Sequence, residues 1–344
     1  MESNDIAIRT LFAEFQESVF KRFALERDVS GEWTFISKQI KGKKYWYQQC
    51  YVDGKSTQKY YLPSTPENDK AVLKKREDLS GKNALIKKLL VDEQKRSAML
   101  KRGGVPGLDH LASSVVSTLS ENFLTYKGGV LVGSHAFQAY SGMFGTTFEK
   151  NSLRTLDIDI ACENSVTAYS AKPLNVGELL KNVEKSFKYV PSLSNKYPPS
   201  SFVGPSGIRV DIITPLRGKP RGMVKIKNIV DAVAVPLRFL DFLIKDPVDA
   251  VLIGVKGGIP VTVPHPARYA IHKLIISSQR PVSESAKSAK DIVQAEQMIL
   301  ICAKEQPYEL RGVFNEAIKQ GPKWKRCIEK GMSNISDEAR SVLS

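Results

Sequence analysis

Close cysteine pairs are missing from this sequence. The four cysteines, Cys50, Cys162, Cys302 and Cys327, are widely spaced, and none belongs to a CxxC motif. That spacing offers neither a zinc signature nor a disulfide framework. Scattered cysteines in a chain of this size are typical of proteins that work in a reducing compartment.

Long apolar runs are missing as well. None approaches the ~20 residues that a helix needs to cross a bilayer. The first fifteen residues do not combine a basic segment with an apolar stretch, as a secretory signal does. Internal repeats and low-complexity segments are also lacking. We therefore expect a cytoplasmic protein that does not bind membranes.

Acidic residues are outnumbered by basic ones. The chain has 51 Lys and Arg against 36 Asp and Glu, a formal net charge of +15. A basic surface attracts polyanions such as nucleic acids and nucleotides, although it can also serve solubility alone. With 344 residues, of which 42% are hydrophobic, the chain is long enough for two or three compact units.

The order of apolar patterns predicts an α+β protein with three regions. A small basic N-terminal module of helices and a β-hairpin-like sheet is predicted at 1–104 and ends in a glycine-rich break. Strands and helices alternate through 105–262, and the C-terminal region 263–344 is predicted to be helical. Predicted helices cover 5–26, 66–102, 108–121, 134–142, 175–188, 264–278, 285–305 and 307–330, and predicted strands cover 33–62 (two or three strands), 128–133, 155–162 and 208–213.

A Gly-Ser pair follows the first apolar strand of the central region. Gly133 and Ser134 stand where that strand ends and a helix begins. Free N–H groups and the positive end of the helix dipole make such a position suitable for a phosphate. Taken alone, such a pair is more often a plain turn and helix cap.

Three aspartates interrupt two later strands of the same region. Asp157 and Asp159 are two residues apart, so a strand would direct both carboxylates to one side. Such a pair needs a cation between its members, and Mg²⁺ prefers carboxylate and phosphate oxygens. Asp211 lies in the next apolar strand and would join the pair if the two strands are neighbours. The alternatives are an exposed acidic pair and a strand-end cap.

These motifs together resemble the nucleotidyltransferase signature of the DNA polymerase β superfamily, and most closely a bacterial branch of it. The likeness rests on Val132–Tyr140, Arg154–Ala161 and Arg209–Pro215, with weaker similarity at Lys41–Tyr47 and Val263–Lys273. It touches roughly residues 33 to 300. The resemblance implies a polymerase-β-type core, a mixed sheet with flanking helices.

The resemblance also implies catalytic roles. Asp157, Asp159 and Asp211 would hold two Mg²⁺ or Mn²⁺ ions on an NTP, and Asp211 would help to activate an acceptor hydroxyl. Gly133 and Ser134 would cradle the β- and γ-phosphates. Relatives of this kind include toxins of toxin–antitoxin and phage-defence systems, so an antitoxin is a conceivable partner.

Several basic residues are candidates for binding phosphate. Arg154 precedes the aspartate pair and would bind either the nucleotide or a carboxylate. Lys273 would contact the nucleotide or pair with Asp291. A run of cations near 217–227 is either a polyanion clamp or a solvated loop; its candidates are Arg217, Lys219 and Arg221.

The sheet at 33–62 interleaves tyrosines and tryptophans with lysines, among them Lys43 and Lys44. Such a pattern is typical of modules that stack or cradle nucleic acid, and equally of a small self-packed core with a basic rim. His135, His265 and His272 carry no assigned role.

The leading hypothesis is an enzyme that transfers a nucleoside monophosphate from an NTP to a hydroxyl. The acceptor would be an RNA 3′ end such as tRNA, a protein or a small molecule, and the basic N-terminal region favours RNA. One alternative is a nucleotide-sugar glycosyltransferase that uses the Asp-x-Asp pair. The other is a non-catalytic nucleic-acid-binding protein on the same fold.

Overall fold

The protein is described by a computed structural model that covers most of the chain. The described residues are 2–29, 34–52, 55–124, 128–149, 153, 155–163, 173–191, 198–219, 222–227 and 229–343. Trp33 and the Asp53-Gly54 turn, which belong to the predicted sheet, lie outside this set.

Two helices and a three-stranded sheet form the N-terminal part. A short strand β1 (Glu2–Ser3) precedes helix α1 (Ile6–Val29). Strands β2 (Thr34–Ile40), β3 (Lys43–Val52) and β4 (Lys55–Pro63) pair antiparallel in chain order. The predicted helix or helix pair at 66–102 is one helix, α2 (Pro66–Arg102). It begins at Pro66 because the Thr65 side chain caps its first turn and proline suits the first helical position.

The central region is built on a mixed sheet. Its strands are β5 (Gly129–Val132), β7 (Asp157–Cys162), β8 (Lys188–Tyr189), β9 (Ser201–Val203), β10 (Arg209–Pro215), β11 (Val224–Lys225) and β12 (Val233–Leu237). The order is β11-β12-β10-β7-β5, with β7, β10 and β12 parallel and β5 and β11 antiparallel to their neighbours. The beginning of β10 also pairs with β9.

Helices and a hairpin surround this sheet. They are α3 (His110–Leu119) with a π-helical turn (Ser120–Leu124), α4 (Gly133–Phe144), the short strand β6 (Thr146–Thr147), α5 (Val176–Val183), α6 (Leu240–Leu243), β13 (Val248–Ile253) and β14 (Gly258–Val263). Strands β7 and β10 alternate between buried and less buried residues at their beginnings, and they are continuously buried over Ile160–Cys162 and Ile212–Pro215, where both faces of the sheet are covered.

The C-terminal part is helical, as predicted. It contains α7 (Pro266–Gln279), α8 (Ser285–Glu305), α9 (Pro307–Lys319), α10 (Pro322–Met332) and α11 (Asp337–Leu343). The prediction of one helix over 307–330 is wrong. Gly321 has φ 123°, and Pro322 cannot donate the backbone hydrogen bond that would continue α9.

Helices α1 and α2 pack on the β13–β14 hairpin. Phe12, Phe15 and Leu100 share a cluster with Val251 and Ile253. Arg22 on α1 donates to Glu93 on α2 (2.8 Å) and to the Gly258 carbonyl oxygen (2.7 Å). The domain boundary near residue 104 stays a prediction. The contacts of α1 and α2 with the β13–β14 hairpin join residues on the two sides of it. Helices long and apolar enough to span a membrane are not found in the described part of the chain.

Candidate active site

Two of the predicted aspartates are register partners on adjacent strands. The parallel pairing of β7 and β10 places Asp211 beside Asp159 and Arg209 beside Asp157. Residues in register on parallel strands point to the same face of a sheet. Ile158, Val210 and Ile212 point to the opposite, buried face. The alternation that the sequence predicts is therefore what directs the carboxylates out of the core.

Asp159 experiences strong electrostatic strain. Burial, followed by the neighbouring Asp211 and Asp157 carboxylates, raises the pKa of Asp159 to about 6 against the opposing charges of Lys273 and Lys287. Asp157 and Asp211 thus lie close enough to Asp159 to disfavour its charge. A cation placed among them would relieve that repulsion.

The Gly133 backbone lies directly against Asp159. Val132 pairs with Asp159 across β5 and β7, and the chain then turns into α4 with Gly133 at φ 69°. A Cβ atom at Gly133 would come within 2.6 Å of Asp159 Oδ2. Only glycine both adopts this φ readily and leaves room for the carboxylate. Val132, at the N-cap, has no side-chain acceptor, so the first N–H groups of α4 remain available to an anion.

Side chains from α7 and α8 hold this turn in place. The Tyr269 hydroxyl lies 3.0 Å from the Gly133 carbonyl oxygen and 2.9 Å from Gln294 Oε1. Gln294 Nε2 donates to Ser134 Oγ at 3.3 Å. The Gly-Ser turn is therefore held by the helical C-terminal part. The sequence predicts that part but not its contacts with the turn.

A cleft of about 650 Å³ opens between the carboxylates and α7. That volume lies within the usual range of small-molecule sites. Gly133, Asp159 and Asp211 line one side of it. The cationic side chains that line it are Arg209, Arg238, Lys273 and Arg280.

Lys273 lies in this cleft and also forms the predicted ion pair. Its Nζ contacts Asp291 Oδ1 at 2.6 Å and lies 5.3 Å from the centre of the Tyr269 ring. Arg280 Nε contacts the other Asp291 oxygen at 2.5 Å. Burial raises the pKa of Asp291, but the two cations outweigh burial and hold this pKa below its usual value. Both readings of Lys273 therefore have a structural basis, and a nucleotide-binding role stays a prediction.

Helix α8 adds two lysines on the side of the carboxylates. Burial and Lys273 lower the pKa of Lys290, whereas Asp291, Asp157 and Asp159 raise it. Lys287, three residues earlier, lowers the pKa of Asp159. The spacing of three residues places both lysines on one face of the helix. Their spacing in the sequence predicts that both lysines share a helix face, but it does not show that this face is directed at the carboxylates.

Arg209, like these two lysines, was not among the site residues predicted from the sequence. Its Nε donates to Asp211 Oδ1 at 2.8 Å, and its Nη2 donates to Ser201 Oγ at 3.0 Å. Arg209 precedes Asp211 by two positions on β10, so strand alternation could have placed both side chains on the same face.

The histidines near the site are neutral at physiological pH. Burial lowers the pKa of His135 to about 4, and its Nδ1 lies 3.1 Å from the Asp157 carbonyl oxygen. Burial, reinforced by Lys273, lowers the pKa of His272 to about 3, and this side chain lines the cleft. His265 accepts a hydrogen bond from the Ala267 N–H at the start of α7.

Other predicted phosphate-binding residues lie elsewhere or outside the described residues. Arg217 and Lys219 follow β10 on the surface, where Arg217 pairs with Glu163 at 3.2 Å. Lys43 and Lys44 belong to the N-terminal sheet. Arg154 and Arg221 are not among the described residues.

The donor set suits Mg²⁺ or Mn²⁺ by its chemistry. All three candidate ligands are carboxylates, which these ions prefer. In the described part of the chain, no group of three or more His, Cys, Asp or Glu side chains is already arranged around a metal position. One oxygen of the Asp211 carboxylate, Oδ1, accepts a hydrogen bond from Arg209.

The fold and the cleft together define a class of protein. Carboxylates from adjacent strands share a cleft with Lys273 and three arginines, and a glycine turn at a helix N-terminus lines the same cleft. Enzymes that act on phosphorylated substrates combine acidic metal ligands, cations and helix N-termini in this way.

Comparison with known families identifies the group within that class. The sequence model of a family described as Nucleotidyltransferase matches residues 110–319, more than half of the chain. The chain belongs to this family, and it is a transferase of the nucleotidyltransferase type. The matched segment contains the Gly-Ser turn, all three aspartates and Lys273. No curated protein and no solved structure matches the chain.

Proposed function

We propose that the protein is a polymerase-β-type enzyme that transfers a nucleoside monophosphate from an NTP to an acceptor hydroxyl in a metal-dependent reaction. The observation that carries the proposal is the register of Asp159 and Asp211 across β7 and β10, with Gly133 against Asp159. Asp157, Asp159 and Asp211 would hold two Mg²⁺ or Mn²⁺ ions. Bound ions would neutralise the triphosphate and polarise the acceptor oxygen.

The triphosphate is assigned to the turn and the helix lysines. The first N–H groups of α4, from Gly133 and Ser134, would bind the terminal phosphates. Lys273 and Lys290 would neutralise negative charge on the pyrophosphate as it leaves. Both lysines lie near the carboxylates, as the pKa shifts of Asp159 and Lys290 indicate.

The reaction forms one P–O bond and breaks another. The acceptor oxygen attacks the α-phosphorus, the bond to the bridging oxygen of the β-phosphate breaks, and pyrophosphate leaves. The acceptor proton passes to the Asp211 carboxylate, which would have turned away from Arg209. Arg209 would then be free to contact the nucleotide or the acceptor, since only Ser201 would remain as its partner.

RNA is the acceptor that we favour, with a 3′ end such as that of tRNA as the reacting group. The basic composition of the chain, with 51 Lys and Arg against 36 Asp and Glu, supports this choice. A toxin or defence enzyme held in check by an antitoxin protein is the biological setting that we propose with it.

Pyrophosphate release tests the proposal. Purified protein is incubated with each NTP, Mg²⁺ or Mn²⁺ and total tRNA, beside Asp157→Ala. A parallel reaction with a UDP-sugar tests the glycosyltransferase alternative. We expect release that requires metal and RNA and is absent from the variant. NTP binding without release under any condition would contradict RNA as the acceptor, and absence of NTP binding would contradict the enzymatic assignment.

A further inference from the structure

One face of the N-terminal sheet is packed, and the other is open. Phe35 and Trp46 pack on Val72 of α2, and Trp46 Nε1 donates to Asp69 Oδ1 at 2.6 Å. Side chains alternate along a strand, so the neighbours of Phe35 and Trp46 point away from α2. We call this open side the tyrosine face; its residues are Ile36, Lys38, Lys43, Tyr45, Tyr47 and Tyr60.

Three tyrosine rings form a continuous array on this face. The Tyr60 ring lies 6.1 Å from that of Tyr45 and 5.9 Å from that of Tyr47, with an edge-to-face arrangement in both pairs. Tyr60 remains 51% exposed although it contacts two other rings. Exposed aromatic surfaces of this kind can stack on planar ligands.

The sheet that carries the rings is rich in lysine. Its described residues, 34–52 and 55–63, include six lysines, at 38, 41, 43, 44, 55 and 59, and no Asp or Glu. Of these lysines, Lys38 and Lys43 belong to the tyrosine face. Lys38 Nζ lies 4.9 Å from the centre of the Tyr47 ring. Rings flanked by lysines are complementary to bases flanked by phosphates, because each base has a π-face and each phosphate carries a negative charge.

The tyrosine face and the β13–β14 hairpin lie at opposite ends of α2. The sheet packs near Val72, whereas Ser97 and Lys101 at the other end of α2 contact the Gly254 carbonyl oxygen of the β13–β14 connection. At 1.5 Å per residue, Val72 and Ser97 are about 38 Å apart. A ligand that follows α2 from this face to the hairpin would therefore be a polymer rather than a single nucleotide.

We propose that the tyrosine face binds single-stranded polynucleotide, with bases stacked on Tyr45, Tyr47 and Tyr60 and phosphates on Lys38 and Lys43. This inference deepens the proposed function, because the bound strand would be the acceptor whose end reaches the cleft. Stacking depends little on base identity, so binding is tolerant of sequence. RNA and DNA strands share the chemistry that this face recognises.

Fluorescence anisotropy with labelled U20 RNA and dT20 DNA tests the inference without NTP or metal. We expect Tyr47→Ala and Tyr60→Ala each to weaken binding about tenfold or more, and Tyr60→Phe, which keeps the ring, to change it by less than about threefold. Tyr308→Ala is the matched control, because Tyr308 is 87% exposed and lies on α9. Tighter binding of U20 than of dT20 would identify RNA as the ligand, and equal binding would identify the shared backbone chemistry.

A second measurement covers variants that disturb folding. Trp46 packs on the opposite face, so its emission, isolated by Trp33→Phe and Trp324→Phe, reports whether the sheet remains intact. Lys38→Gln and Lys43→Gln leave the rings in place, and each should lower the salt dependence of binding by about 0.7 in log–log slope.

Three results would overturn the inference. The labelled strands could show no saturable binding, or Tyr308→Ala could weaken binding as much as Tyr60→Ala does. Light scattering could also show a dimer that Tyr60→Ala dissociates, which would make this face a contact between two copies of the chain. Asp159→Asn separates this inference from the proposed function. If that variant binds the labelled strands normally but releases no pyrophosphate, the inference and the proposed function are both supported. If the wild-type protein binds the strands but releases no pyrophosphate, only the proposed function is contradicted.

Discussion

The surroundings of Asp159 disfavour its own charge. Its carboxylate is partly enclosed, lies beside Gly133 and is repelled by Asp211 and Asp157. A group that destabilises the fold is retained when it serves a function. The sequence predicts this position from the alternation on β7 alone. The pKa shift depends on Asp211, which is 52 positions further along the chain, and on the helices that close the cleft.

Asp159→Asn should stabilise the metal-free protein at pH 7.5. The pKa of about 6 in the folded state exceeds the ordinary value of about 3.9, so the folded state binds the proton more tightly than the unfolded state does. Wild-type stability therefore falls as pH rises from about 4 to about 6, and asparagine removes a cost on the order of 2 kcal/mol. Thermal unfolding in EDTA measures the difference.

The exposed Asp78→Asn on α2 is the control for this comparison. The advantage of Asp159→Asn should shrink as pH is lowered toward 4, because the wild-type carboxyl is then protonated. Mn²⁺ should raise the unfolding temperature of the wild type more than that of Asp159→Asn. A variant less stable than the wild type at pH 7.5 in EDTA would refute this account of Asp159.

Gly133→Ala should reduce activity by about 100-fold. The new methyl group would collide with Asp159 Oδ2 and displace the carboxylate, and misplacement by about 1 Å has effects of that size. Gly321→Ala is a matched control, because Gly321 also has a positive φ but meets no atom within 4 Å. Steady-state kinetics of both variants, corrected for the folded fraction, gives the comparison. Similar losses in both would show that backbone strain, rather than the contact with Asp159, is responsible.

At the scale of helices and strands, much of the site-bearing core follows from sequence patterns. Helix α4 and strands β5, β7 and β10 lie within two residues of their predicted ends, because Gly133 and the apolar alternation define them. Strand β12 and the β13–β14 hairpin were not predicted. Val248–Ile253 and Gly258–Val263 are short apolar runs, and periodicity alone cannot distinguish a buried strand from a helix in such runs.

Helix α8 is the element whose contribution to the site depends most on tertiary packing. Lys287 and Lys290 lie in its first two turns, and Gln294 reaches Ser134 from the third. The spacing of these residues predicts a shared face. Only the packing of α8 on α7 shows that this face is directed at the carboxylates, which lie more than 70 residues earlier in the chain.

Lys290→Ala should lower kcat/KM for the NTP by about tenfold. Loss of one cation opposite the triphosphate removes a charge-assisted contact, typically about 1.5–3 kcal/mol. Lys304→Ala on the same helix is the control, because Lys304 is 68% exposed and pairs with the adjacent Glu305 at 3.8 Å. Initial rates at varied NTP concentration measure both. An equal effect of the two substitutions would remove Lys290 from the site.

For the whole molecule, the α+β class and the helical C-terminal part were correctly predicted, because composition and periodicity carry that information. The way in which these parts assemble the cleft was not predicted. Arg209 lies on β10, Arg238 in the turn after β12 and Arg280 directly after α7, and the sequence separations hide their convergence. The family assignment rests on residues 110–319, which leaves the N-terminal sheet outside the matched segment.

The central claim is that the α-phosphate, with its nucleoside, passes to an acceptor hydroxyl at Asp157, Asp159 and Asp211. The most direct measurement compares RNA incubated with NTP labelled at the α-phosphorus and with NTP labelled at the γ-phosphorus, each with Mg²⁺ or Mn²⁺. The account predicts that RNA acquires only the α-label, that the γ-label leaves as pyrophosphate, and that Asp211→Asn abolishes both. Transfer of the γ-label to RNA, or α-label transfer that survives Asp211→Asn, would contradict it.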